Sequence, residues 1–210
     1  MDRNVQIDTF SRLFQVSRET IRSLEKYENL VISANKMQNL IGSSTVNNIW
    51  SRHITDSFQI IDFIDKNHKI LVDIGTGAGF PGIVLSIAAN DRKIPLKVVL
   101  VEKSPKKVKF LENTIKKLDL KIKIISKNVF EEKKITGDVF VARAFKPLSI
   151  ILKLIHNKSL NYKNFFIFLG KTGNAELLQA SKNWNIEYKQ RVSVTSNDST
   201  ILEIKKLKKK

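Results

Sequence analysis

A cluster of glycines in residues 71–82, "LVDIGTGAGFPG", is the part of the sequence best suited to bind a ligand. Glycine lets a backbone turn sharply and come close to a bound molecule, and glycines alternate with other residues at Gly75, Gly77 and Gly79. From Gly77 onward the stretch reads G-x-G-x-x-G, the dinucleotide fingerprint, and Glu102 follows about twenty residues later, where it can accept hydrogen bonds from ribose hydroxyls. The spacing predicts a site for a cofactor that contains adenosine.

Asp73, at the end of the apolar run before the glycines, distinguishes between two kinds of cofactor. In dinucleotide sites the glycine loop and the N-terminus of the following helix face a pyrophosphate, which a nearby carboxylate repels. S-adenosylmethionine instead carries an ammonium and a sulfonium group, and a carboxylate suits such a ligand better. Asp73 therefore favours an S-adenosylmethionine-dependent methyltransferase over a nicotinamide-dependent dehydrogenase.

The charge of the chain indicates a polyanionic partner. The 210 residues carry a formal net charge of +17, and each phosphate that a basic protein neutralises releases counterions and strengthens binding. Biased codon usage is the alternative source of a composition rich in lysine, isoleucine and asparagine. We interpret the C-terminal "KKLKKK" as a solvated tail rather than a site.

The composition also excludes several kinds of chemistry. Without cysteine the chain has no disulfides, no thiol catalysis and no cysteine-based metal site, and its three scattered histidines predict no metal site of their own. The sequence has no apolar run of roughly eighteen residues. The N-terminus "MDRNVQIDTFSRLF" lacks the layout of a secretory signal. We therefore expect a cytoplasmic protein with no membrane partner.

The pattern of apolar residues, which predicts the helices and strands that position these residues, changes near residue 68. Before it, apolar residues recur at three- or four-residue spacing, which predicts a helical N-terminal extension over residues 1–68 and, within it, a helix over residues 46–65. From residue 69 onward, apolar runs of strand length alternate with helix-length segments, the pattern of βα units on a parallel sheet. The predicted strands of this sheet lie in "KILVDIG", "LKVVLVEK", "KIKIIS", "DVFVARAF" and "NFFIFLG".

The C-terminal part of the chain predicts a different pairing. "NIEYKQRVSV" and "STILEIKKL" read as two strands joined by the turn "TSND", which indicates an antiparallel hairpin. The fold class is therefore α/β. We predict a Rossmann-like methyltransferase domain over residues 69–210, with a mainly parallel sheet, a C-terminal antiparallel hairpin and the helical N-terminal extension.

Four segments together resemble the ribosomal RNA small subunit methyltransferase G family, also called glucose-inhibited division protein B. They are "WSRHITDSF" (residues 50–58), "LVDIGTGAGFPGIVLSIA" (71–88), "LVEKSPKKVKFL" (100–111) and "ARAFKPL" (142–148). Many methyltransferases share the glycine loop, whereas R-H-I-x-D-S and R-A-F in this order are more particular. The resemblance implies transfer of a methyl group from S-adenosylmethionine to N7 of one guanine in 16S ribosomal RNA. We expect a monomer that acts on this RNA or on a small-subunit particle.

The resemblance also implies roles for single residues around the cofactor. Gly75 and Phe80 line its methionine and ribose region, and Asn128 with Val129 contacts its adenine. The family usually has an acid in that pair, so Glu131 is the alternative if the loop is shifted. The predicted cofactor-binding set is Asp73, Gly75, Gly77, Gly79, Phe80, Glu102, Asn128, Val129 and Arg143.

Arg143 in R-A-F and Lys171 after the fifth strand are the implied catalytic residues, in positioning roles. The family usually follows this lysine with glycine, whereas Thr172 follows it here. Guanine N7 presents a free acceptor lone pair, so no general base is expected. Both cations would instead bind phosphates, guanine O6 or the cofactor carboxylate. The alternative for Arg143 is a structural ion pair.

His53 and Asp56, three residues apart in R-H-I-x-D-S, fit either a proton relay or a tether for the helical extension. The tether is favoured because the chemistry needs no base, and Trp50 and Phe58 are interpreted as packing residues. Two other functions remain as alternatives. One is a small-molecule methyltransferase on the same fold, which would need a closed apolar pocket instead of a basic rim. The other is a non-catalytic RNA-binding or ribosome-assembly protein.

Overall fold

A seven-stranded sheet in the order β3-β2-β1-β4-β5-β7-β6 forms the centre of the structure, a computed structural model that describes residues 2–132 and 134–210. Strands β1 to β5 are parallel, whereas β7 runs antiparallel to both β5 and β6. This is the predicted α/β fold. The strands are β1 (Ile70–Ile74), β2 (Lys97–Val101), β3 (Ile122–Ile125), β4 (Val139–Arg143), β5 (Asn164–Leu169), β6 (Trp184–Ser193) and β7 (Ser196–Lys209).

Helices cover both faces of the sheet, which explains why the central strands read as continuous apolar runs. The α-helices are α1 (Arg3–Phe14), α2 (Arg18–Asn35), α3 (Asp56–Phe58), α4 (Gly82–Asp91), α5 (Pro105–Leu118), α6 (Leu148–Asn157) and α7 (Gly173–Ala180). Among the described residues no helix is long and apolar enough to cross a membrane.

The helix predicted over residues 46–65 is a series of different helical turns. A 3-10 turn (Ser43–Asn48) leads into a π-helical turn (Trp50–Thr55), which passes through α3 into a second 3-10 turn (Gln59–Phe63). Trp50, Ile54 and Phe58, spaced by four residues, are all fully buried. The wider π turn keeps such a spacing on one face of the segment.

The C-terminal hairpin differs from the sequence prediction in two ways. Its strands are separated by residues 194–195, so the turn falls before most of the predicted "TSND". The segment "KKLKKK" is largely exposed, as predicted, but it is not a tail, because Lys209 pairs with Trp184 and Lys206 with Glu187 in the ladder of β6 and β7. Lys206 and Lys208 are exposed at alternate positions on either side of the partly buried Leu207, so a highly charged sequence can still be paired.

The hydrophobic core crosses the boundary predicted at residues 68 and 69. One cluster joins Phe10, Tyr27 and Trp50 of the N-terminal extension to Leu85 of α4 and Phe110 of α5. A second cluster lies on the other face, among α6, α7 and the hairpin. We therefore propose that residues 1–68 and 69–210 fold together.

Candidate functional site

The loop between β1 and α4 has the backbone conformation that its glycines predict. Gly75, Gly77 and Gly79 all have positive φ angles, of 68°, 60° and 104°, a region that side chains with a Cβ rarely adopt. Apart from the two adjoining residues, the only described atom that a Cβ on Gly77 would meet is the carbonyl oxygen of Gly75, at 3.9 Å. Gly77 therefore faces open space, where a bound molecule could approach the backbone.

Asp73 forms hydrogen bonds to this loop through one carboxylate oxygen, and its other oxygen forms none among the described residues. Its Oδ2 accepts hydrogen bonds from the Thr76 hydroxyl, at 2.5 Å, and from the Gly82 backbone N–H, at 2.8 Å. Its Oδ1 is buried and has no hydrogen-bond partner among the described residues. Burial raises the pKa of Asp73 to about 7, although the bonds from Thr76 and Gly82 lower it in part. A cationic donor beside Oδ1 would favour the ionised carboxylate.

Glu102 connects the same loop to the start of α5. Its Oε2 accepts the Gly77 backbone N–H at 3.1 Å, and its Oε1 accepts the Ser104 backbone N–H at 2.8 Å. The residue directly follows β2 and is largely buried. Each carboxylate oxygen can accept a second hydrogen bond, so Glu102 can serve the loop and a ligand hydroxyl together.

A cavity of about 400 Å³ opens between this loop and the turns that follow β3 and β4; we call it the glycine-loop cavity. Val101 and Val129 supply buried apolar walls, and lysines surround the opening. The residues that line it are Gly75, Val101, Glu102, Lys103, Lys107, Lys127, Asn128, Val129, Phe130, Ala144, Phe145 and Lys146.

The turn after β3 contributes Asn128 and Val129 to the lining, whereas Glu131 lies outside it. Glu131 instead accepts a hydrogen bond from the side-chain amide of Asn128 at 2.7 Å. The Asn128 Oδ1 accepts the backbone N–H of Phe130 at 3.2 Å. The turn is therefore fixed by Asn128, and the predicted adenine pair stands at the cavity without a shift of the loop.

Arg143 does not line the glycine-loop cavity; its side chain lies in a polar cluster with residues of the π-helical turn and α3, close enough to Asp73 for its charge to lower the pKa of that carboxyl. Its Nε lies 3.1 Å from Asp56 Oδ2, and its side chain is 15% exposed. Its Nη2 donates to the backbone carbonyl of Arg52 at 2.7 Å and contacts His53 Nδ1 at 2.9 Å. This is the arrangement expected of the structural ion pair, the alternative named above.

His53 is a neutral side chain in this cluster. Burial and the positive charges of Arg143 and Arg52 lower the pKa of His53 to about 3. Because Nδ1 accepts from Arg143, the ring proton resides on Nε2, which lies 2.8 Å from the Thr45 hydroxyl. His53 and Asp56 meet through Arg143, so the geometry fits a tether and not a proton relay.

Phe80 departs from the role that the resemblance implies, because its ring does not line the glycine-loop cavity. The ring is buried, with its centroid 5.0 Å from those of both Tyr27 and His53. The Arg143 guanidinium lies 5.9 Å from its centroid. The ring therefore anchors the glycine loop against α2 and the π-helical turn.

Lys171 also lies apart from this cavity. Its side chain is 84% exposed and lies 3.4 Å from Asp198 of β7. It lines a small separate cleft with Gly170 and Asn197, next to the hairpin. The structure therefore does not bring Lys171 and Arg143 together at one point.

Tyr27 of α2 is a site residue that sequence reasoning missed. Its hydroxyl donates to the carbonyl of Ala78 in the glycine loop at 2.8 Å, and the side chain is fully buried. No local signal announces this contact, because a tyrosine in an amphipathic helix reads as an ordinary core residue. The helical extension thus supports the loop directly.

Comparison with known proteins settles the family. The sequence profile of the family described as rRNA small subunit methyltransferase G matches residues 20–204. The protein named "Ribosomal RNA small subunit methyltransferase G" from Pelagibacter ubique (strain HTCC1062) is 41% identical over 197 residues, covering 93% of this chain and 92% of that protein. The chain belongs to the rRNA small subunit methyltransferase G family.

Solved structures share the fold of this family member. The 16S rRNA methylase RmtB has a TM-score of 0.54 and 15% identity, covering 91% of this chain and 76% of its own. M. capricolum TrmK, solved with S-adenosyl-homocysteine, has a TM-score of 0.52 and 21% identity, covering 71% and 67%. Family and fold confirm the prediction of a methyltransferase with S-adenosylmethionine as its cofactor.

The residues around the glycine-loop cavity fit this cofactor. When bound, S-adenosylmethionine supplies a methyl group activated by its sulfonium. Glu102, in the lining, offers acceptors for hydroxyls. Asp73 is fully buried behind the loop and is not part of the lining, but its Oδ1 has no partner among the described residues and suits a cationic group. Val101 and Val129 offer apolar walls to an aromatic base. The open space above Gly77 allows close backbone approach.

Tyr27→Phe is expected to weaken binding of S-adenosylmethionine about tenfold, because the glycine loop would lose the buried hydrogen bond that fixes the Ala78 carbonyl and would be less well ordered for the ligand. The control is Thr20→Val on the same helix, which removes a buried hydroxyl that donates to Asp91 at 2.7 Å, away from the loop. Titration calorimetry and thermal melts of both variants make the comparison. If both variants lost the same stability and Tyr27→Phe kept the wild-type dissociation constant for S-adenosylmethionine, Tyr27 would be a core residue with no role in the site.

Proposed function

We propose that this enzyme transfers the methyl group of S-adenosylmethionine to N7 of a guanine in 16S ribosomal RNA of the small subunit. Membership of the rRNA small subunit methyltransferase G family supports this reaction. The observation that carries the proposal is the glycine-loop cavity itself, a cofactor-sized space whose opening is surrounded by lysines.

The lysines at the opening favour RNA over a small-molecule substrate. Lys103, Lys107, Lys127 and Lys146 all line the glycine-loop cavity. Of these, Lys127 pairs with Glu132 at 2.8 Å, and in the described part of the chain the other three form no ion pair. Free ammonium groups at an opening suit the phosphates of a nucleic acid. A small-molecule enzyme would instead need a closed apolar pocket.

We propose that the cofactor is held by Asp73 and Glu102 as charged partners, by the backbone of the glycine loop, and by Asn128 with Val129 at the adenine. In this assignment Asp73 meets the ammonium group and Glu102 the ribose hydroxyls. We also propose that the enzyme acts as a monomer. The backbone contacts come from Gly75, Gly77, Gly79 and Phe80.

Catalysis in this proposal is positioning. Guanine N7 presents an in-plane acceptor lone pair, so the protein has only to align N7 with the methyl carbon and sulfur, and alignment of this kind can lower a barrier by roughly 7–11 kcal/mol. His53 is neutral and faces Arg143, so it supplies no base. Arg143 acts by fixing the π-helical turn against Phe80, and Lys171 remains available to phosphates on the exposed surface.

Affinity for S-adenosylmethionine is expected to rise as the pH increases from about 5.5 to about 7, by at most about tenfold per unit. Burial raises the pKa of Asp73 to about 7, so below that pH the carboxyl must lose a proton before it can pair with an ammonium group. Calorimetry across this range tests the effect. In Asp73→Asn the amide oxygen can still accept hydrogen bonds from Gly82 and Thr76. We expect this variant to bind S-adenosylmethionine more weakly and with an affinity that does not change with pH. An equal slope in the asparagine variant would remove Asp73 from the ammonium site.

The substrate class is tested by supplying labelled S-adenosylmethionine with 16S ribosomal RNA, transfer RNA or ribosomal protein from cells that lack the enzyme. The proposal predicts label in the ribosomal RNA and background counts in the others. Binding of S-adenosylmethionine without transfer to any of them would instead support the non-catalytic RNA-binding or assembly protein.

A further inference from the structure

Phe130 is an exposed aromatic side chain at the mouth of the glycine-loop cavity. Its neighbour Val129 points into the protein and is buried, whereas Phe130 is 40% exposed. The hydrogen bond from the Phe130 N–H to Asn128 Oδ1 fixes the backbone of this turn. A large apolar ring is therefore held at the surface by a defined turn.

A second ring connects Phe130 to the glycine loop. Phe145 stacks on Phe130 with ring centroids 6.0 Å apart and an interplanar angle of 20°. The Phe145 ring lies directly over Gly75, since a Cβ placed on Gly75 would stand 2.1 Å from Phe145 Cδ2. The two rings thus form a continuous stack from the loop, where the methyl donor would sit, to solvent.

The surroundings of this stack are basic. Lys103, Lys127 and Lys146 line the same cavity as Phe130. An aromatic face among lysines is the combination with which proteins hold single-stranded nucleic acid, because bases stack on the ring while ammonium groups hold the phosphates.

We propose that Phe130 is a stacking platform for an unpaired RNA base next to the target guanine. This inference rests on the proposed function, since it takes ribosomal RNA as the substrate. The adenine of the cofactor is the other base within reach. The buried walls formed by Val101 and Val129 already suit that adenine, which leaves the exposed ring for a base that arrives from solvent.

The test compares three variants by binding isotherms with 16S ribosomal RNA from cells that lack the enzyme. Phe130→Ala and Phe130→Leu are both expected to weaken RNA binding roughly tenfold, and Phe130→Trp to restore it, because stacking needs an aromatic face. The leucine variant keeps apolar bulk and guards against a loss of folding, which thermal melts check. Leu178→Ala, an exposed residue of α7, is the control and should change nothing.

Two further measurements separate stacking from other roles. The affinity for S-adenosylmethionine should be unchanged in Phe130→Ala. The slope of log affinity against log salt should also stay constant, whereas Lys146→Ala should reduce it by about 0.7–0.9. If Phe130→Ala bound the cofactor more weakly and RNA with unchanged affinity, Phe130 would be a wall of the adenine site and the proposal would be overturned. Unchanged affinity for both ligands would also overturn the proposal. These measurements record binding and do not depend on methyl transfer. A wild-type protein that bound both ligands but transferred no methyl group would contradict the proposed reaction, and the stacking role of Phe130 could still be tested.

Discussion

Replacing Arg143 by alanine is expected to lower the free energy of unfolding by about 3–5 kcal/mol, because removal of one partner leaves the other charge of a buried pair uncompensated. The Asp56 side chain is only 12% exposed and would keep its bonds from Gln59, at 3.0 Å, and Ser193, at 2.8 Å, but would lose its cation. His53 Nδ1 would lose its donor as well. The rate of methyl transfer at saturating RNA should fall by a larger factor than the affinity for RNA, because Phe80, which packs next to Arg143, would hold the glycine loop less firmly.

Denaturant unfolding and single-turnover methyl transfer measure the two effects side by side. In a double-mutant cycle, Arg143→Ala combined with Asp56→Asn should cost less than the sum of the single changes, because the carboxylate is then no longer charged. Arg143→Lys should restore little, since an ammonium group cannot reproduce the spread of guanidinium donors to three partners. Unchanged stability together with weaker RNA binding would make Arg143 a phosphate contact, contrary to the geometry.

Gly77→Val is expected to lower affinity for S-adenosylmethionine by at least roughly a hundredfold, about 2.7 kcal/mol. The residue has a φ of 60°, which a β-branched side chain tolerates poorly. The new side chain would also stand in the open space where a ligand approaches the backbone. Apart from the adjoining residues 76 and 78, the added Cβ would have only the Gly75 carbonyl oxygen within 4 Å in the described part of the chain, so we expect the protein to remain folded.

Gly42→Ala is the matched control for this substitution, since its added Cβ would make only ordinary contacts, at 3.9 Å or more. Calorimetric titration with thermal melts distinguishes a lost site from a lost fold. If Gly77→Val bound the cofactor with wild-type affinity, the ligand would have to lie elsewhere.

The parts of the fold that depend on local pattern could be predicted from the sequence. All five central strands follow from apolar runs bounded by polar residues, and the glycine loop follows from the spacing of Gly75, Gly77 and Gly79. The acid at the end of β2 follows in the same way. In each case residues close in sequence determine the structure. The assignment of these residues to the cofactor remains a prediction that the variants above test.

The rest depends on long-range contacts that residue types alone do not specify. Arg143 meets His53 across 90 positions, and Tyr27 meets Ala78 across 51. The sequence marks an arginine at a strand end as ligand-facing, but the direction of its side chain depends on where Asp56 lies. The C-terminal lysines read as a tail because charge suggests solvation, whereas pairing with β6 decides their structure.

The most direct test of the account is the identity and number of the methylated atoms. Wild-type enzyme and the Gly77→Val variant are each given labelled S-adenosylmethionine and 16S ribosomal RNA from cells without the enzyme. One portion of the RNA is digested to nucleosides to identify the methylated atom, and the position of the modified nucleotide is mapped on a second, undigested portion. We expect N7-methylguanosine from a single guanine with the wild type and none with the variant. A methyl group on another atom, or equal transfer by Gly77→Val, would contradict the central claim that this loop positions a methyl donor for guanine N7.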